Sequence, residues 1–436
     1  MIAHSDGAII KERWPSAASE KGGPARHHVG AKLRMASGAF LIFAFALPTS
    51  LDPLTYALSM IAASLFLTIP QIKYDPGEIV SKEYLAFCAV ILFYLVVSIF
   101  GVLPRSGFFY DRSHIIHQSA GLLLTAATYP AFVVAARWLF FPRTSLLFLA
   151  TAAILSVVLS QVIAESNVII ADQLYGAKSS VVLMQFVWFL VAWSTGRKMF
   201  QIPMMLLPIL VLGSATNLLI QAALIGILLT RGHRALPIAI VVAMAVFIYL
   251  MASENPFMVR LIEGDPNSLV RAHLWAGAAV NIVKHPLGLG FGTTYTDVVT
   301  RYDPMILFGP YGTDLSRAFE VANHNTFLDT LLRLGPLGFV ALLALLFNSW
   351  WRLRQPRQIM MGSALLAITI VICGLNPILE SAQSALFVAF ATGYLRAARR
   401  HDEATAAPAW VQPVVHRPRP ESPRERRQQL AAQVHD

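Results

Sequence analysis

The residues with chemistry in them are concentrated in two segments, RAHLWAGAAVNIVKHPLGLGFG at 271–292 and VANHNTFLDTLLRLGPLG at 321–338. His324 follows Asn323, the expected N-cap of a helix, and stands at the mouth of an apolar run that begins near Thr326. A neutral imidazole there can accept a proton near neutral pH, and the positive end of the helix favours its neutral form. The same helix end offers a positive pole to a phosphate group. Arg271 carries a planar guanidinium suited to two phosphate oxygens at once, and Arg317 and Arg333 are secondary cations of the same kind. Each residue also has a plainer reading. His324 would be an interfacial histidine facing water, and Arg271 a surface arginine paired with Glu263 or Asp265. Asn325 either orients the base, binds an acceptor, or satisfies backbone donors at the helix start. Glu320, one helical turn before His324, would hold the imidazole in one tautomer. His285 and Pro286 with Gly288, Gly290 and Gly292 predict a tight turn that brings backbone close to a ligand or to another helix. No βαβ unit surrounds these glycines, so they are not a dinucleotide fingerprint.

The elements that must position these residues follow from composition. The chain has 436 residues, 56% hydrophobic and only 13% charged, with mean hydropathy +0.59. A soluble domain carries about a quarter charged residues, so most of this chain is expected to be solvated by lipid. Apolar runs long enough to span predict helices at 35–50, 54–70, 84–103, 118–140, 145–164, 179–195, 236–252, 326–350, 359–375 and 383–395. The run 199–230 is too long for one helix and is interrupted by Pro203, Pro208 and Gly213, so two spans meeting near Gly213 are expected there. The expected fold is an all-α polytopic bundle of about twelve transmembrane helices.

Basic residues fall in every second short loop, at Lys73 and Lys82, Arg143, Arg197 and Lys198, Arg231 and Arg234, and Arg352, Arg354 and Arg357. The positive-inside rule then predicts a multi-pass membrane protein with both termini in the cytoplasm. The formal charge of +10 is explained by these loops and the tails, not by a basic stripe interleaved with aromatics, so nucleic acid is not an expected partner. The expected organisation is a disordered cytoplasmic tail at 1–33 without a cleavable signal peptide, helices one to nine at 34–252, and an extracytoplasmic loop with short helices at 253–325. The last three helices follow at 326–397, and a disordered cytoplasmic tail at 398–436. Cys88 and Cys373 lie inside apolar runs and predict neither a disulfide nor a metal site.

An arginine and a tryptophan on a short helix, a proline-glycine turn of G-x-G-[FY]-G character, and an HN pair opening a helix that leads into RLGPLG occur here in that order. This pattern resembles the O-antigen ligase and Wzy-type polysaccharide polymerase superfamily over about 271–338. The resemblance implies a glycosyltransferase that draws on an undecaprenyl diphosphate-linked glycan at the outer face of the inner membrane. The acceptor would be lipid A core or a growing glycan, and other polysaccharide assembly proteins would be partners beside the bilayer. It implies His324 as general base and Arg271 as the residue that holds the diphosphate, with Asn325, Arg317, Arg333 and Gly290 as further substrate-binding candidates. Diphosphate is a good leaving group whose charge fixed guanidinium groups can stabilise, so neither metal nor cofactor is expected.

Family members carry a Ser-Arg pair in a middle helix, whereas the corresponding stretch here is Gly213, Ser214, Ala215, Thr216, Asn217, with no arginine. Either another residue such as Arg260 or Arg317 replaces it, or the donor is recognised differently, or the chain has lost the activity. Two other functions fit the composition: a transporter of a lipid-linked sugar or small solute, and a noncatalytic membrane scaffold of an assembly complex. The first would carry paired ionisable residues or broken helices at mid-membrane, and neither is evident in the spans.

Overall fold

The computed structural model describes residues 53–74, 76–103, 108–139, 175–194, 198–210, 215–253, 255–263, 266–294, 324–375 and 382–406, together with Leu41. Among them every regular element is helical, and the one pairing of extended chain is an isolated antiparallel bridge between Tyr110 and Thr293. We number the helices α1 (Pro53–Tyr74), α2 (Pro76–Ile79), α3 (Lys82–Phe100), α4 (His114–Leu139), α5 (Tyr175–Ser194), α6 (Lys198–Leu206) and α7 (Ala215–Leu229). They continue as α8 (Ala235–Ala252), α9 (Pro256–Ile262), α10 (Pro266–Lys284), α11 (Thr326–Trp351), α12 (Pro356–Leu375) and α13 (Ala382–Ala406).

Five of these, in α3, α4, α8, α11 and α12, are long and apolar enough to cross a membrane, so over the described residues the protein is an all-α membrane protein. The expected spans at 35–50 and 145–164 lie outside the described residues, apart from Leu41. The run 199–230 does divide, with α6 passing into a 3-10 turn at Leu207–Leu210 before α7 begins.

Helices that are apolar all round face lipid or lie in the centre, and burial separates the two cases. Only 22% of the apolar window of α3 and 17% of that of α8 is buried, so these helices turn most of their surface outward. On α3, Leu85, Leu92, Val96 and Ile99 form the outward stripe, while Phe87, Ile91, Tyr94 and Ser98 point inward. For α12 the buried share is 94%, which makes it the central helix, packed against α7, α8, α11 and α13.

Between helices in lipid, association depends on close packing more than on escape from water. The α4–α13 pair shows how: Ala385, Ala389, Gly393 and Ala397 recur at every fourth position of α13 and are buried or nearly so. A Cβ on Gly393 would stand 2.8 Å from Phe132 Cβ and 2.9 Å from Val133 N, so the two backbones touch. Thr125 Oγ1 adds a hydrogen bond across the pair to the Ala385 carbonyl, 3.2 Å long.

The last helix runs past its expected end at 397 and continues to Ala406. Arg399 and Arg400 pair with Glu403 one turn on, and the Asp402 carboxylate accepts hydrogen bonds from the Arg354 and Gln355 amides, at 2.7 and 3.2 Å. These contacts carry the helix through a polar stretch that composition alone would leave as coil.

The bundle has two ends. At one, residues near 77–83, 234, 351–357 and 396–403 converge through bonds such as Arg396 to the Gly77 carbonyl and Arg234 to the Leu353 carbonyl. At the other, residues near 94–118, 285–294, 324–335 and 374 converge. That second end holds the candidate site.

Candidate functional site

The site is organised by a broken helix. Gly335 in α11 has φ 57° and ψ −167°, and Pro336 follows, so α11 is two helical segments joined at a kink. In an unbroken helix the amides of residues 336 and 337 would bond to the carbonyls of 332 and 333. Proline has no amide hydrogen, and the kink frees both carbonyls. In lipid surroundings they need other donors. They find them in the glycine turn: Leu289 N donates to Leu332 O (2.8 Å) and Gly290 N donates to Arg333 O (2.9 Å).

The glycine turn is therefore bound to another helix, one of the two roles expected of it. Gly288 has φ +83°, and a Cβ there would lie 2.6 Å from both Arg333 O and Gly335 N, so only glycine lets the two chains meet. The far side of the turn is held equally tightly. Phe291 N donates to Ser98 Oγ (2.7 Å), Gly292 N to Gln118 Oε1 (2.9 Å), and Gln118 Nε2 to Thr293 O (2.7 Å). Asp111 N donates to Gly292 O at 2.8 Å, and the Tyr94 hydroxyl to Leu287 O. Asp111 itself receives the Ser113 amide at 2.8 Å, which holds its carboxyl below the usual range.

Arg333 is 3% exposed and faces this turn, its Nη1 donating to Gly290 O (3.2 Å) and to Thr293 Oγ1. Arg333 and Gly290 are thus brought together, with the arginine bracing the turn. Of the other expected cations, Arg317 lies outside the described residues, as does Glu320. Arg260, on α9, is exposed. Arg271 sits half-buried in the second turn of α10, a helix that packs on α8 and α11. Beside it Trp275 is fully buried and meets Phe247 edge to face at 5.9 Å, fixing α10 against α8.

The cap of α11 is Asn325, not the expected Asn323. Its Oδ1 accepts from both Phe327 N and Leu328 N at 3.0 Å, and its Nδ2 donates to Gly374 O of α12 at 2.9 Å. With 0% exposure, this side chain serves backbone donors, the last of the roles open to it. His324 immediately precedes the cap, half-buried, with φ +52°. That left-handed conformation is uncommon outside glycine and carries a cost of about 1 kcal/mol or more, tolerated most often at functional sites. Asp329, 7% exposed in the first turn of α11, places a carboxylate where the positive helix end favours it.

Ser98, Gln118, Thr293 and Asp329 escaped the sequence reading. The first two had a legible signal, since polar side chains inside apolar spans are costly unless they bond to something. Among the described residues no group of three or more His, Cys, Asp or Glu is placed to hold a metal ion. Neither a protein-family model nor a curated protein matches this sequence.

Proposed function

We propose that this chain is a membrane glycosyltransferase of surface polysaccharide assembly. It transfers glycan from an undecaprenyl diphosphate-linked donor to lipid A core or to a growing glycan. The reading rests on the sequence resemblance over 271–338 and is carried by one structural observation: a half-buried histidine held at positive φ immediately before the cap of α11. Backbone held in a costly conformation at a helix mouth supports that reading, because such strain clusters at functional sites.

In the proposed reaction the acceptor hydroxyl gives its proton to His324 as its oxygen bonds to the anomeric carbon. The bond from that carbon to the diphosphate oxygen breaks, the electron pair leaves with undecaprenyl diphosphate, and direct attack inverts the anomeric centre. Arg271 binds the diphosphate and stabilises the charge that grows on it. Arg333 and Asn325 act one step back, as positioning residues. Arg333 fixes the glycine turn and Asn325 fixes the helix start that carries His324. The His324 end faces the extracytoplasmic side and both termini lie in the cytoplasm, as the distribution of loop arginines implies.

The test is the surface-polysaccharide profile of a deletion strain complemented with wild type, His324→Ala or Arg271→Ala. Loss of the long-chain ladder with build-up of lipid-linked polymer identifies a ligase, and single-repeat products in place of long chains identify a polymerase. Both variants should fail to restore the profile while reaching wild-type levels in the membrane. Full complementation by His324→Ala removes the assigned base, and an unchanged profile in the deletion strain removes the enzyme reading.

A further inference from the structure

At the end of the bundle remote from His324, the structure gathers a cavity of about 360 Å³ lined by Lys82, Arg352, Arg396, Arg399 and Arg400, with Glu83 the one carboxylate among its described lining side chains. An adjoining cavity of about 380 Å³ shares Arg352 and Arg399 and adds Arg234, Arg354 and the carboxylate of Glu403. Loop arginines that merely orient a membrane protein can lie in water, and these do not all lie there. Arg396 is 4% exposed and Arg399 is 9% exposed. Arg396 spends one nitrogen on the Gly77 carbonyl at 3.0 Å, while its Nε has no hydrogen-bond partner within the protein. The buried Nε atoms of Arg400 and Arg234 are in the same position.

Among the described residues, the acidic groups nearby are already engaged. Glu83 accepts from Asn348 Nδ2, Glu403 from Arg399 at 2.8 Å and Arg400 at 3.3 Å, and Asp402 from two backbone amides. The cluster is also stiff. Arg234 lies over the rings of Trp350 and Trp351, at 6.0 and 5.6 Å, and Arg396 and Arg400 share the Gly77 carbonyl as acceptor. Partly buried guanidinium groups in excess over carboxylates, held in place and with donors to spare, match an anion with several acceptor oxygens.

We propose that this cavity is a phosphoanion site, distinct from the candidate active site and independent of the glycosyl-transfer reading. The phosphate can belong to an anionic phospholipid headgroup or to a soluble diphosphate; the guanidinium chemistry is the same for both. By the charge distribution in the loops the cavity opens on the cytoplasmic leaflet, where anionic headgroups are concentrated.

The experiment uses the full chain. Its thermal midpoint is measured in neutral detergent against a series of pyrophosphate concentrations, and in phosphatidylcholine nanodiscs carrying a series of phosphatidylglycerol fractions. Wild type, Arg396→Gln, Arg352→Gln and the remote surface variant Arg112→Gln are compared. Protection by phosphatidylglycerol alone assigns a headgroup, and protection by pyrophosphate alone assigns a soluble anion; protection by both supports the shared chemistry. In each case Arg352→Gln and Arg396→Gln should raise the half-saturating concentration about tenfold, as the loss of one charge-assisted contact implies, and Arg112→Gln should leave it unchanged. Arg352 is exposed, so its variant keeps the test open if Arg396→Gln does not fold. Protection by neither probe, or protection that the Arg352 and Arg396 variants leave intact, overturns the proposal.

Discussion

Replacing Gly288 by alanine should destabilise the protein more than the size of a methyl group suggests. The backbone at 288 has φ +83°, where an L-residue costs about 1–2 kcal/mol. The new Cβ would stand 2.6 Å from Arg333 O and Gly335 N, and these are backbone atoms that cannot swing aside. Relief requires the turn to retreat from α11, lengthening the bonds from Leu289 N to Leu332 O and from Gly290 N to Arg333 O, now 2.8 and 2.9 Å. Each contributes about 1 kcal/mol net, and more where the orphaned carbonyl has no water to turn to. The expected loss is therefore about 3–5 kcal/mol. Gly277, in the interior of α10, is the control: a Cβ there meets nothing within 4 Å, and alanine should stabilise by about 0.5–1 kcal/mol. The assay is heating in detergent with a thiol-reactive fluorophore, read on Cys373, which is 0% exposed, in a Cys88→Ala background. Gly288→Ala should unmask Cys373 well below the wild-type temperature, and Gly277→Ala at or above it. A Gly288→Ala protein that melts with wild type would mean that the turn and the kink do not touch, and the account of the site would fall with it.

Asn325→Ala removes a cap that serves two amides, and should cost about 1–2 kcal/mol in the same assay. Asn325→Ser keeps an uncharged acceptor for the two amides while giving up the bond to Gly374 O, so its loss should be the smaller; equal losses would deny the cap its role. For orientation, a phosphatase fused at Pro304 should be active and one fused at Arg354 inactive, and the reverse pattern would invert the proposed topology.

What the sequence made legible was whatever depends on length and polarity along the chain. The starts of α8 and α11 fall within a residue of expectation because apolar runs end abruptly at Arg234 and Asn325. The division of 199–230 was visible in its prolines and glycine. The turn at 286–292 was visible as a turn, but its partner was not, since Leu332 and Arg333 lie some forty residues on and their carbonyls become available only through the Gly335–Pro336 break. The cap falls at Asn325 where Asn323 was expected: both residue types cap well, and the bond from Asn325 to Gly374 in α12 is not encoded locally. The loop arginines suggested an orientation and nothing more. That residues from α3, α11, α13 and the turn before α8 close around two cavities depends on packing, which no local pattern encodes.

The break at Gly335 and Pro336 also bears on how the chain is built. A membrane chain made from its N-terminus presents Ser98, Gln118 and the turn at 285–294 before residues 332 and 333 exist. Ser98 and Gln118 can take the amides of Phe291 and Gly292 at once, whereas those of Leu289 and Gly290 must stay with water until α11 is delivered. Biogenesis of this end thus has an order written into its hydrogen bonds: half of the turn is claimed early, and the other half waits for a helix that, were it continuous, would have no carbonyls to offer.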